Sequence, residues 1–143
     1  MRFWKRVGGL FAVYVVLVVI FEAGYLGAMQ PSFEEGCIPM LVVTARDENA
    51  KANSKMLARF ETDGKLYVSA HHWTRGWYKR AMANPEVYVE VDGVRMSRIT
   101  VPIAGEEFEA VAAAFPIPLR ARILMGFPPP RDTLRLDLAE SAT

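Results

Sequence analysis

Fifteen consecutive residues, 7–21 (VGGLFAVYVVLVVIF), carry no charge, and basic residues Arg2, Lys5 and Arg6 stand directly before them. Glu22 follows, and then AGYLGAM continues the apolar run to residue 29. At 1.5 Å per residue, residues 7–29 are long enough to cross a hydrocarbon core of about 30 Å. Apolar side chains surround this helix on all sides, so a surface-lying amphipathic helix is not expected. Trp4 and Tyr25 suit the two headgroup regions. Glu22 is the exception, since a carboxylate in mid-bilayer costs about 2.5 kcal/mol or more, and less near an end of the span. A cleaved signal peptide is the competing reading. The basic start fits it, but only Leu26-Gly27-Ala28 approximates a cleavage site. Residues 1–29 are therefore read as an N-terminal membrane anchor. The basic residues before the span place the N-terminus in the cytoplasm and the remainder outside.

The chain beyond this anchor is short enough for one domain. Residues 30–39 hold two prolines and read as a linker, which leaves residues 40–143 for the domain. MLVVT (40–44) is a buried strand, and ARDENAKAN (45–53) is a polar loop. SKMLARFET (54–62) alternates with Met56, Ala58 and Phe60 on one face. Asp63-Gly64 is a hairpin turn leading into LYVSA (66–70). WYKRAMA (77–83) is a short helix stopped by Pro85. EVYVEV (86–91), Asp92-Gly93 and residues 95–103 form a second hairpin. EEFEAVAAA (106–114) is a helix with acidic residues in its first turn. A second short helix covers 119–124, and TLRLDL (133–138) is a closing strand. Several short strands, two Asp-Gly turns and few helices predict a mainly β, α+β fold, a small antiparallel barrel or sandwich.

The formal charge of +1 excludes a strong field for nucleic acid. Cys37 is the only cysteine, so neither an intrachain disulfide nor a thiolate cluster can form. His71 and His72 are adjacent and point to opposite faces of a continued strand, which is not a metal spacing; no metal site is expected. Arg46, Lys51 and Lys55 read either as a phosphate cradle or as an ordinary solvated loop. Trp77 reads either as a wall beside a flat ring or as core.

The ordered set Thr44, the loop to Ser54, Asp63-Gly64, Ser69-Ala70, Trp77 and Ala83-Asn84-Pro85, with the phrase GWYKRAMANPEVYVEVDG, resembles the deazaflavin-dependent nitroreductase family. The resemblance covers about residues 41–138. It implies a split antiparallel β-barrel of the FMN-binding type with short helices, and a deazaflavin coenzyme of the F-420 type, or FMN, as cofactor. It implies that Thr44, Arg46, Lys51, Ser54, Lys55, Ala70 and Trp77 face the cofactor. Tyr78, Ser69 and His71 are then the candidates for proton delivery to a quinone- or nitro-type acceptor. Arg75 and Lys79 are suited to an acidic cofactor tail. Split barrels of this group often dimerise, so a homodimer is a further expectation. The sequence departs from the family in the phosphate loop. Gly-Arg-Lys-Ser/Thr-Gly is replaced by Ala45-Arg46-Asp47-Glu48 followed by Lys51, Ser54 and Lys55, and His71-His72-Trp73 stands where relatives have two glycines. The alternative expectation is a non-catalytic split barrel that holds a lipid, haem or protein partner.

Overall fold

Residues 2–26, 39–70, 73 and 75–139 are described by a computed structural model. His71, His72 and Cys37 lie outside the described residues.

Seven strands form one antiparallel sheet: β1 (Met40–Arg46), β2 (Ala52–Ala58), β3 (Phe60–Thr62), β4 (Lys65–Ala70), β5 (Glu86–Val91), β6 (Val94–Pro102) and β7 (Asp132–Leu138), in the order β2-β1-β5-β6-β7-β4-β3. Among the described residues four α-helices accompany it, α1 (Arg2–Ile20), α2 (Gly76–Ala83), α3 (Gly105–Ala114) and α4 (Leu119–Leu124), and a π-helical stretch, Phe21–Leu26, continues α1. Alternate side chains of each strand point inward, so Leu41, Val43 and Ala45 meet Val87, Val89, Leu134 and Leu136 in one core. Both Asp-Gly turns have positive φ at both central residues, 51° and 71° at Asp63-Gly64 and 51° and 79° at Asp92-Gly93. That is the type I′ geometry matching the twist of the flanking strands.

The expected single strand over 54–62 divides at Arg59. β2 pairs with β1, whereas β3 pairs with β4. Arg59 turns the corner between them, its N–H donating to Pro39 O at 2.8 Å. The two ends of the sheet are thus consecutive in the chain, and the sheet rolls until they meet. The polar loop is also shorter than the composition of 45–53 suggests, because β1 runs on through Arg46 and β2 starts at Ala52.

α2 plugs the barrel. Trp77 and Ala81, one turn apart on one helix face, are buried in the core. Thr100 Oγ1 lies 3.0 Å from Ala81 O and 3.1 Å from Pro85 O, satisfying carbonyls at the helix end. α3 covers the outer side of β4 and β7. Arg135 donates to both oxygens of Glu107 at 2.9 and 2.8 Å and to both of Asp137 at 2.6 and 2.9 Å. Tyr67 donates to Glu107 at 2.8 Å. The Arg135 bonds hold both carboxyls below their ordinary pKa values. Burial, reinforced by the bond to Glu107, pushes the Tyr67 hydroxyl up to about 12.

No residue of α1 is buried, although the stretch Arg2–Tyr25 is long and apolar enough to cross a membrane. Among the described residues, contacts between the domain and this helix come from its second half. Tyr14 donates its hydroxyl to Ile123 O at 2.7 Å, and a Cβ at Gly126 would come within 2.8 Å of Val18. Glu22 accepts the N–H of Trp73 at 3.3 Å, and the Trp73 indole donates to Met125 O at 2.9 Å. The one carboxylate of the apolar stretch is therefore hydrogen-bonded to the base of the domain.

Candidate functional site

β1 ends at Arg46, and the loop after it is folded upon itself. Asp47 Oδ1 accepts the N–H groups of Asn49 and Lys51, each at 3.0 Å, and its Oδ2 accepts the Asn53 amide at 3.3 Å. The Asp47 N–H donates to Lys51 O, and the Ala50 N–H donates to Asp47 O. Closing so tight a loop forces Ala50 to a left-handed φ of 60°. The Lys51 backbone bond, chiefly, draws the Asp47 carboxyl below its usual pKa. Asp47 thus faces donors of its own loop. The amides of residues 47, 49, 50 and 51 are engaged within the loop and do not project toward an anion as a glycine-rich loop's do.

Basic side chains replace them. The C-terminal turn of α2 stands beside this loop, latched by the Asn84 amide donating to Arg46 O at 2.9 Å. Between loop and helix lies a groove of about 280 Å³ lined by Arg46, Asp47, Glu48, Asn49, Lys79, Arg80, Ala83 and Asn84. Arg46 and Lys79 are exposed. The Arg80 guanidinium folds back over Gly76, where a Cβ would sit 3.2 Å from its nitrogen. Its Nε is buried without a hydrogen-bond partner among the described residues. The lining sets three cations, Arg46, Lys79 and Arg80, against the carboxylates of Asp47 and Glu48, a small positive excess in a polar groove that suits a phosphate or carboxylate better than an aromatic ring.

The structure gathers part of the expected set. Arg46 lines the groove, but Lys51 and Lys55 do not. Lys55 pairs with Val43 across β1 and β2, so it points to the core side of the sheet. Thr44 and Ser54 are also cross-strand partners, with their hydroxyls 2.8 Å apart on the opposite face. Ser69 is buried and hydrogen-bonded to Thr133 at 3.0 Å; Ala70 is buried beside it. Trp77 lies in the core, edge-on to Tyr78. Tyr78 is half-buried, and burial raises its phenol pKa, so it is neutral at physiological pH. Arg75 is committed elsewhere, to Asp132 at 2.7 Å and to the carbonyls of Pro129 and Pro130 at 2.9 Å. Trp73 sits at the α1 end of the domain. Sequence reasoning misses Arg80 and Asn84 as groove residues, although their place on the turn before Pro85 is a usable signal. Among the described residues, no cluster of three or more His, Cys, Asp or Glu is arranged to hold a metal.

No protein-family model and no curated protein matches the sequence. Solved structures do match in shape. An F420-H2 dependent reductase (FDR-A) aligns over 69% of this chain and 94% of its own, at 21% identity and a TM-score of 0.57. The chain has the same split-barrel fold. The heme storage protein HutZ from Vibrio cholerae shares it at 14% identity, covering 78% of this chain and 90% of its own with a TM-score of 0.52. An FAD-binding protein from Mesorhizobium loti does so at 12% identity, covering 79% and 88% with a TM-score of 0.51. By their descriptions, proteins of this shape include an F420-H2 dependent reductase, a heme storage protein and an FAD-binding protein.

Proposed function

We propose that this chain is a membrane-anchored oxidoreductase that passes a hydride from a reduced deazaflavin, or reduced FMN, to a quinone- or nitro-type acceptor. The observation that carries the reading is the basic groove between Arg46 and α2. Arg46, Lys79 and Arg80 would hold the anionic tail of the cofactor by side-chain bonds, since the loop amides are engaged internally. When bound, the cofactor supplies the hydride. Tyr78 is the proposed proton donor, because burial keeps its phenol protonated and Ser69 is already bonded to Thr133. α1 is the proposed anchor, with its N-terminus in the cytoplasm. The proposed working unit is a homodimer.

Titration of the detergent-solubilised full chain with the deazaflavin coenzyme and with FMN tests the reading. One of the two is expected to bind saturably. Each charge-assisted hydrogen bond to the tail contributes about 1.5–3 kcal/mol, so Lys79→Ala is expected to weaken binding roughly 10- to 150-fold. Tyr78→Phe is expected to lower turnover of an added quinone at unchanged cofactor affinity. Absence of binding by either cofactor ends the proposal, as does binding indifferent to Lys79 and Arg46.

The self-closed loop favours a second reading. A barrel without free loop amides is suited to a ligand that needs no phosphate cradle, and a haem-binding or lipid-binding module fits that description. A Soret band on haem addition, with no response to deazaflavin or FMN, would establish it.

A further inference from the structure

A larger groove lies on the other side of the domain. It encloses about 490 Å³, within the range of small-ligand sites, and its walls are almost wholly apolar. Phe21, Phe60, Phe115, Ile117 and Met125 form them. The rings of Phe60 and Phe115 lie 4.7 Å apart, and Met125 is buried. Arg131, the cation at the rim among the described residues, donates to the carbonyls of Phe115 and Ala112 at 2.7 and 2.8 Å. Nothing in the groove asks for a charged ligand.

Phe21 belongs to the anchor, so the groove opens where the anchor joins the domain. The depth of that junction follows from the helix itself. Tyr14 and Val18 precede Glu22 by eight and four residues, about 12 and 6 Å along the axis. Both touch the segment 123–126. If α1 spans a core of about 30 Å, it needs nearly all of its apolar length, so the α4 segment sits within the leaflet and not above it. Its surface agrees. Leu119, Ile123, Leu124 and Phe127 are 63%, 42%, 51% and 51% exposed, a concentration of bare apolar side chains suited to lipid. Arg120 and Arg122 are long enough to reach headgroup phosphates from this depth.

We propose that this groove binds the hydrocarbon chain of a bilayer lipid, which enters from the leaflet alongside α4. The inference rests on the anchoring of α1 but not on the cofactor. The full chain in nanodiscs containing a phospholipid with a photoactivatable diazirine on its acyl chain tests it, with adducts mapped by mass spectrometry. Adducts on Leu10 or Phe11 report anchoring; adducts on Phe115 or Ile117 report the groove. Both are expected. Ala114→Trp, at the exposed edge of the groove, is expected to reduce the groove adducts at least fivefold while leaving those on α1 and Leu124 unchanged. Adducts on α1 without groove adducts overturn the inference and leave the anchor standing. Absence of both overturns the anchor first. A polyprenyl quinone that competes for the groove adducts, when its tailless headgroup does not, supports recognition of the chain. Equal competition by the tailless headgroup overturns it.

Discussion

Replacing Trp77 by alanine separates a core tryptophan from a ligand-facing one. Trp77 is 7% exposed and packs with Ala81 and the barrel strands. Deleting a buried Trp typically costs about 3–5 kcal/mol, from lost burial and from the cavity left behind. A domain of this size is stable by about 5–15 kcal/mol. At about 4–8 °C per kcal/mol, Trp77→Ala is expected to lower the melting midpoint by at least about 12 °C. Circular dichroism of the detergent-solubilised chain, with urea midpoints as a second measure, reads the change. The loss is expected to reach the basic groove as well, because α2 carries Lys79, Arg80 and the Asn84 latch to Arg46. Trp77→Phe should keep most of the stability, and Lys79→Ala should stay within about 0.5 kcal/mol of the parent because it is a surface change. The reasoning is refuted if Trp77→Ala melts like the parent yet loses cofactor affinity. Trp77 would then be a wall of the ligand site.

The Arg135 cluster sets the behaviour in acid. Glu107 and Asp137 have folded pKa values below their ordinary 4.5 and 3.8, so they stabilise the fold above those values and lose that contribution as pH falls through the folded ones. The midpoint should drop below about pH 4.5, and Arg135→Met should flatten that dependence. Tyr67 behaves oppositely. Its pKa, raised from 10.0 to about 12, gives stability that is complete below pH 10 and lost as pH rises toward 12. Tyr67→Phe should abolish this alkaline loss, which thermal scans at stepped pH will show. Ala50→Gly should stabilise the chain by about 0.5 kcal/mol. Relief of roughly 1–2 kcal/mol of left-handed strain is partly offset by the freer unfolded glycine; a lower urea midpoint would contradict this.

Most of the architecture was legible because its signals are local. Asp63-Gly64 and Asp92-Gly93 dictate hairpins by their own φ preferences, and EVYVEV and TLRLDL alternate strictly. Pro85 ends α2 as the chain chemistry requires. The corner at Arg59 was not legible, since SKMLARFET alternates throughout and nothing within it says that its halves pair with different strands. The internal closure of the loop after β1 was not legible either. Asp47 and Glu48 look equally repulsive in sequence, yet one carboxylate is consumed by its own loop's donors and the other is exposed. Lys51 and Lys55 are near Arg46 in sequence but not in the groove, because strand pairing turns Lys55 inward. Lys79, Arg80 and Asn84 take that place from a distant helix, a juxtaposition only the tertiary fold creates.

The position of β7 constrains how the molecule is made. It is the latest strand in the chain, yet it sits between β6 and β4 and joins the two halves of the sheet. Until β7 pairs, the β2-β1-β5-β6 portion and the β3–β4 hairpin each present an open edge able to pair with another chain. Insertion of β7 therefore covers both edges in one step, and a chain that has not yet taken it exposes two strands to pairing with a neighbour.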